Sequence, residues 1–355
     1  MKNSATLKRH NEIWHKLLAS LLAVALLGSS AAFADQSAAI LLYHRFGEDD
    51  YPSTNVRLEQ LDAQIKELKE NGSNFLPLGE IVRRLKANEA LPERTVAITV
   101  DDAYKSVADH AWPRLKRAGI PMTLFVSTEP VDSPSSNYMD WDDVRALHSD
   151  GVEIAHHTAT HLHMIDAGLE AAMADVRTAS ARFEAELGFV PKLFAYPYGE
   201  YNTEIKTAIE KEGFTAAFAQ VSGAAAAWSD AYSLPRFPVN ERYGEMDRFR
   251  LIAGTMALPV SDVVPLEPLL TEDRNPPLFG FTVDDSVRGL SALACYPSHL
   301  GKPAELLTLE GNRIEVRFKE PFPKGRNRIN CTLPAGQGRW YWLGQFFYVP
   351  GGVLD

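Results

Sequence analysis

Four of the chain's ten histidines fall inside one short stretch, at His156, His157, His161 and His163. Imidazole is the commonest metal ligand among protein side chains. His157 and His161 are four positions apart, and a helical turn would present both rings on one face. Two such nitrogens and one carboxylate oxygen make a three-ligand site with positions left for water, which is the catalytic form of a zinc-like centre. Asp101 and Asp102 can supply the carboxylate. Neighbours on a strand point to opposite sides, so both can serve one centre only where the strand opens into a loop. One could then hold the cation while the other stays free as a base, whereas a buried carboxylate pair with no cation would repel. A second Thr-Val-Asp-Asp, at Thr282–Asp285, has no histidines around it and is expected to be structural. Gly-x-Ser-x-Gly does not occur, which argues against a serine esterase. A two-carboxylate glycosidase would explain neither the histidine cluster nor the adjacency of the aspartates.

These residues need a frame that brings them together. Short apolar runs recur at Ile40–Tyr43, Val96–Val100, Thr123–Val126, Val152–Ala155, Leu193–Tyr196, Thr215–Ala219 and Leu234–Val239. Between them lie amphipathic stretches at Leu58–Asn71, Trp141–His148, Ala171–Leu187 and Thr203–Glu212. Gly72, Gly119, Gly188 and Gly213 fall where helices should stop. Seven strands alternating with helices predict an α/β fold, a distorted (β/α)7 barrel with one unit fewer than the eight-fold form. In such a barrel the site lies where strands end. His44, Asp101, Asp102, His156, His157 and Pro197-Tyr198-Gly199 all follow strand runs directly, so the separate pieces converge on one face.

After Val264 the texture changes. Pro265, Pro268, Pro276 and Pro277 crowd together, and Arg313–Phe318 alternates as a strand with one buried face does. Residues 263–355 are expected to form a small all-β domain after a barrel at 35–262. Cys295 and Cys331, an even pair in an exported chain, predict one disulfide there. The aromatics Arg339-Trp340-Tyr341-Trp342 and Phe346-Phe347-Tyr348 suit a core or domain interface, with sugar stacking as the second option.

The first residues carry Lys2, Lys8, Arg9 and Lys16, then an apolar run Leu17–Leu27 and an Ala32-Phe33-Ala34 site. Residues 1–34 therefore read as a signal peptide, too short in its apolar run to span a bilayer, with the mature chain starting at Asp35. The expected destination is beyond the inner membrane, the periplasm before full secretion, with no stable membrane insertion after cleavage. The whole chain carries a net charge of −10, and losing the leader takes it to −13. A chain so acidic is a poor partner for nucleic acid or anionic membrane, which leaves neutral polymers or ones that become cationic.

Residues 40–240 resemble the polysaccharide deacetylase (NodB homology) domain of carbohydrate esterase family 4. Ile98-Thr99-Val100-Asp101-Asp102-Ala103-Tyr104 resembles that family's T-F-D-D-G motif. His157-Thr158-Ala159-Thr160-His161 matches H-S/T-x-x-H, and Ala195-Tyr196-Pro197-Tyr198-Gly199 resembles R-x-P-Y-G. The resemblance implies Asp101 as base, with Asp102, His157 and His161 holding a divalent metal: zinc first, with cobalt, nickel or iron as alternatives. It implies an oxyanion contact from the Tyr198 N–H, and an acetylated polysaccharide or oligosaccharide as substrate, with loss of an N-acetyl group as acetate. Three features depart from the pattern. Ala103 stands for glycine, Ala195 stands for the arginine that orients the base, and no L-x-H follows to provide a general acid. Arg236 is the candidate for the missing positive charge. His44 is the candidate acid, with His163 or a metal-bound water behind it. The departures motivate one alternative, a weakly active or inactive carbohydrate-binding barrel.

Overall fold

A computed structural model describes residues 36–352; the expected leader and its cleavage point lie outside them. Six apolar runs form parallel strands that neighbour one another in chain order: β1 (Ser37–Tyr43), β2 (Thr95–Asp101), β3 (Met122–Val126), β4 (Glu153–His156), β5 (Leu193–Ala195) and β6 (Ala216–Phe218). Every residue of β1 and β2 is buried, as strands covered on both faces must be. The register sets Tyr43 beside Val100, Asp101 beside Phe125, Val126 beside His156, and His156 beside Phe194. The C-terminal strand ends therefore lie at one level, and the polar residues after them share one rim.

The seventh run closes the seam in two short contacts. Leu234 bridges Phe218 of β6, and β8 (Phe237–Pro238) pairs in parallel with Leu41 and Leu42 of β1. Pro235 and Pro238 have no N–H to give a ladder, so Leu234–Val239 is a broken strand rather than a continuous one. Just before it, β7 (Ala225–Ala226) runs antiparallel to the start of β1. Helices α1 (Leu58–Glu70), α2 (Leu78–Lys86), α3 (Trp112–Ala118), α4 (Trp141–Ser149), α5 (Leu169–Leu187), α6 (Thr203–Lys211) and α7 (Met246–Ala253) accompany the barrel. Gly119 and Gly188 cap α3 and α5 with left-handed φ of 71° and 76°, the conformation in which glycine carries no Cβ penalty. Among the described residues no helix is long and apolar enough to cross a membrane.

Two four-stranded sheets follow. One has the order β9 (Met256–Ala257), β16 (Arg339–Val349), β15 (Gly325–Gly336), β12 (Ala294–Pro297). The other runs β10 (Val260–Val264), β11 (Phe279–Val283), β14 (Arg313–Arg317), β13 (Glu305–Thr308). Phe279, Phe281, Ile314, Val316, Ile329, Leu333 and Phe347 form their common core. Cys295 and Cys331 face each other across β12 and β15 and are disulfide-bonded. The first of these strands, β9 and β10, precede the prolines at 265–277. The other face of β15–β16 lies on the barrel: Phe346 and Tyr348 share a cluster with Tyr196 and Tyr201, and Trp342 meets Phe237 edge-on at 5.3 Å. Phe346, Phe347 and Tyr348 are buried, so these aromatics pack rather than offer a platform to sugar rings.

Candidate active site

The β2 strand ends at Asp101, and Asp102 and Ala103 then turn with φ of 76° and 55°. Left-handed backbone breaks the alternation of the strand, so the two adjacent carboxylates are free to serve one centre. Asp101 is 3% exposed and receives both arms of a guanidinium: Arg236 Nη1 to Oδ1 at 2.7 Å and Nη2 to Oδ2 at 2.8 Å. Arg236 is itself fully buried, and its Nε donates to the Ala219 carbonyl at 3.1 Å. Forked, charge-assisted bonds fix orientation as well as charge. A guanidinium from the seam thus faces Asp101, while Ala195 on β5 offers no charge.

His157 follows β4 and is buried. Its Nδ1 lies 2.8 Å from the Ala195 carbonyl, which assigns the proton to Nδ1 and leaves Nε2 as a lone-pair donor. That Nε2 is 3.5 Å from Asp102 Oδ1 and 3.8 Å from Asp101 Oδ2. His161 Nε2 reaches the same Asp102 oxygen at 3.3 Å. No helical turn joins the two histidines. Thr158 and His161 have φ of 66° and 58°, and the loop is pinned instead by Asp175 on α5, which accepts from the Ala159 and Thr160 N–H groups at 2.9 and 3.2 Å. The i,i+4 spacing therefore converges through a turn, not through helical periodicity.

Ligand atoms of Asp102, His157 and His161 all lie within 4.8 Å of one another. Asp102 Oδ1 is buried without a hydrogen-bond partner while two imidazole nitrogens face it. An orphaned buried oxygen costs about 1–3 kcal/mol, and a divalent cation would satisfy it. Carboxylate and neutral imidazole are borderline ligands suited to zinc and its neighbours, so the donor set fits. Burial works against the charge of Asp102, yet His161, His157 and His44 hold its carboxyl well below the usual range. Burial pushes His161 down to about 4. For His157 burial is outweighed by Asp101 and Asp102, and the pKa lies above its ordinary value.

His44 follows β1, half-buried, and lies close enough for its charge to act on Asp102 and His161. Tyr198 occupies a left-handed turn with φ 57° and ψ 2°. Its ring stacks on His163 at 3.8 Å with planes 2° apart and meets His161 edge-on at 4.5 Å. His163 turns its Nδ1 to Glu200 Oε2 at 3.0 Å and is not among the metal-facing atoms. His156 points elsewhere: its Nε2 reaches the Val176 carbonyl of α5 at 3.2 Å, and burial pushes its pKa down to about 3. Glu200 and Arg326 escaped the sequence reading. Glu200 carried one signal, its place directly after Pro197-Tyr198-Gly199, while Arg326 on β15 carried none.

A model of the polysaccharide deacetylase family matches residues 88–217, a span holding Asp101, Asp102, His157, His161 and Tyr198 but neither His44 nor Arg236. Residues 88–217 are thus similar to polysaccharide deacetylases. The poly-β-1,6-N-acetyl-D-glucosamine N-deacetylase of Staphylococcus epidermidis is 26% identical over 207 residues, covering 55% of this chain and 71% of that protein. Its counterpart from Staphylococcus aureus is 25% identical over 236 residues, covering 59% and 81%. Among solved structures, the Streptococcus pyogenes deacetylase PplD in complex with acetate superposes with a TM-score of 0.55 at 21% identity, covering 61% of this chain and 99% of that one. IcaB from Ammonifex degensii gives 0.53 at 24%, covering 62% and 97%. At those identities the likeness shows the (β/α) barrel fold. The two C-terminal sheets lie beyond the span that the family model matches.

Proposed function

We propose that the protein is an exported, metal-dependent deacetylase that hydrolyses N-acetyl groups of a polysaccharide or oligosaccharide and releases acetate. The observation that carries this reading is Asp101, buried and aligned by Arg236 beside the convergent Asp102, His157 and His161. A pure binding site has no use for an oriented carboxylate that is not a ligand. The N-acetylglucosamine polymers named for the staphylococcal relatives make an acetylated glucosamine chain the first substrate to test.

Asp102, His157 and His161 would hold the cation. When bound it supplies Lewis acidity, polarising the acetyl carbonyl and making a water more acidic. Asp101 accepts the proton of the attacking water as the new C–O bond forms. The Tyr198 N–H donates to the oxyanion, a contribution of about 3–4 kcal/mol for such donors. His44 gives a proton to the amine nitrogen as the C–N bond breaks. Acetate and a free amine leave, Asp101 gives its proton to solvent, and His44 takes one up from solvent. Localisation in the periplasm follows from the leader-like residues 1–34.

The test is acetate release from a β-1,6-linked N-acetylglucosamine oligomer, with bound metal quantified in the same preparations. Release that requires metal, and disappears in both Asp101→Asn and His157→Ala with metal retained in Asp101→Asn, is the expected result. A fully metal-loaded wild type that releases nothing from any acetylated sugar leaves the carbohydrate-binding barrel as the reading.

A further inference from the structure

The Pro197-Tyr198-Gly199 turn holds two consecutive left-handed residues, Tyr198 at φ 57° and Gly199 at φ 73°. For a residue with a Cβ this conformation costs about 1–2 kcal/mol, so the surroundings must hold it. A Cβ on Gly199 would sit 2.3 Å from the Gln220 nitrogen, so the turn lies directly on the backbone of Gln220. That backbone is gripped from the other side by Arg328 of β15, whose Nε donates to the Gln220 carbonyl at 2.9 Å.

Two residues earlier on the same strand, and so on the same face, stands Arg326. Its Nε is 3.7 Å from Glu200 Oε1, and its guanidinium carbon is 5.3 Å from the centre of the Tyr198 ring. Glu200 is 1% exposed and also faces His163, the ring stacked on Tyr198. The paired strand β16 adds Phe346, stacked on Tyr201 at 5.6 Å, and Tyr348, whose hydroxyl meets Asp166.

We infer that the β15–β16 ribbon is a working part of the catalytic site, with Arg326 and Arg328 as positioning residues that hold the Tyr198 peptide in its left-handed turn. The inference rests on the proposed role of the Tyr198 N–H. It gives the C-terminal sheets a task in the reaction itself, since an oxyanion donor must be fixed before the charge develops.

The test uses the full mature chain, metal-loaded, with Arg326→Ala, Arg326→Lys and Arg317→Ala, the last breaking an exposed ion pair on the outer sheet. Steady-state kinetics are read beside amide hydrogen exchange of the 196–201 and 95–101 segments. Arg326→Ala should lower kcat about tenfold with KM within about twofold, as a slight misplacement of a catalytic group does. Metal content should be unchanged, and exchange should quicken in 196–201 but not in 95–101. Arg326→Lys should recover part of both effects, and Arg317→Ala should match wild type. Wild-type kcat in Arg326→Ala, or unchanged exchange at 196–201, overturns the inference. A wild type that releases no acetate overturns the deacetylase reading and the catalytic half of this one, while exchange still decides whether Arg326 holds the turn.

Discussion

Removing Arg236 should cost more stability than any exposed charge in the chain, because it strands a buried carboxylate. Asp101 is 3% exposed and Arg236 fully buried, joined at 2.7 and 2.8 Å. Breaking a buried pair by deleting one partner typically costs about 3–5 kcal/mol, and Arg236→Met should fall in that range. Asp101→Asn strands the buried guanidinium in turn, but that group keeps the Ala219 carbonyl and the Thr99 hydroxyl, so the cost should sit at the low end of the same range, about 3 kcal/mol. In the double variant neither charge remains uncompensated, so the loss should fall short of the sum by about 2 kcal/mol. Urea denaturation of chelator-treated protein, with m-values compared across the four proteins, gives the cycle directly. Arg236→Lys should not restore the wild-type value, because an ammonium cannot make the fork. Additivity within about 0.5 kcal/mol would refute the claim that these two side chains stabilise each other.

Two further outcomes are expected. His156 has a pKa of about 3 in the folded protein against an ordinary 6.5, so between those values the unfolded chain takes up a proton that the folded one refuses. Stability is then present above pH 6.5 and falls as pH drops towards 3; from pH 7 to 5 wild type should lose about 2 kcal/mol more than His156→Leu, and equal slopes would remove His156 as the cause. Opening the Cys295–Cys331 bridge, which spans 36 residues, should destabilise the C-terminal sheets by about 4 kcal/mol on loop entropy, measured by denaturation of the Cys295→Ala/Cys331→Ala variant, with an unchanged midpoint as the contrary result.

Much of the barrel was legible because parallel strands buried on both faces read as bare apolar runs, and because polar residues at their ends break those runs abruptly. Asp101, Asp102 and His157 stood out for that reason. The turn that brings His161 back was not legible: four-residue spacing is the same on a helix and on a loop with two left-handed residues, and nothing in Thr158 or His161 announces φ near 60°. Arg236 could be named as a cation but not placed, since its distance to Asp101 depends on seam closure across 135 residues. Glu200 and Arg326 were beyond reach for a related cause. Their meeting requires a C-terminal ribbon to dock on the barrel, and strand pairing at that separation leaves no local pattern.

The arginine on the seam ties chemistry to biosynthesis. The proposed metal ligands all lie within residues 102–161, while the Asp175 and Ala195 groups that hold the His161 loop and His157 come after them. Arg236 arrives later, on the last segment to complete the ring, and only then does Asp101 acquire its alignment. Once the chain up to Ala195 is in place, the three candidate ligands could converge while Asp101 still lacked its guanidinium partner. On the proposed mechanism, activity would begin only with that closure, so turnover would report that the barrel is complete.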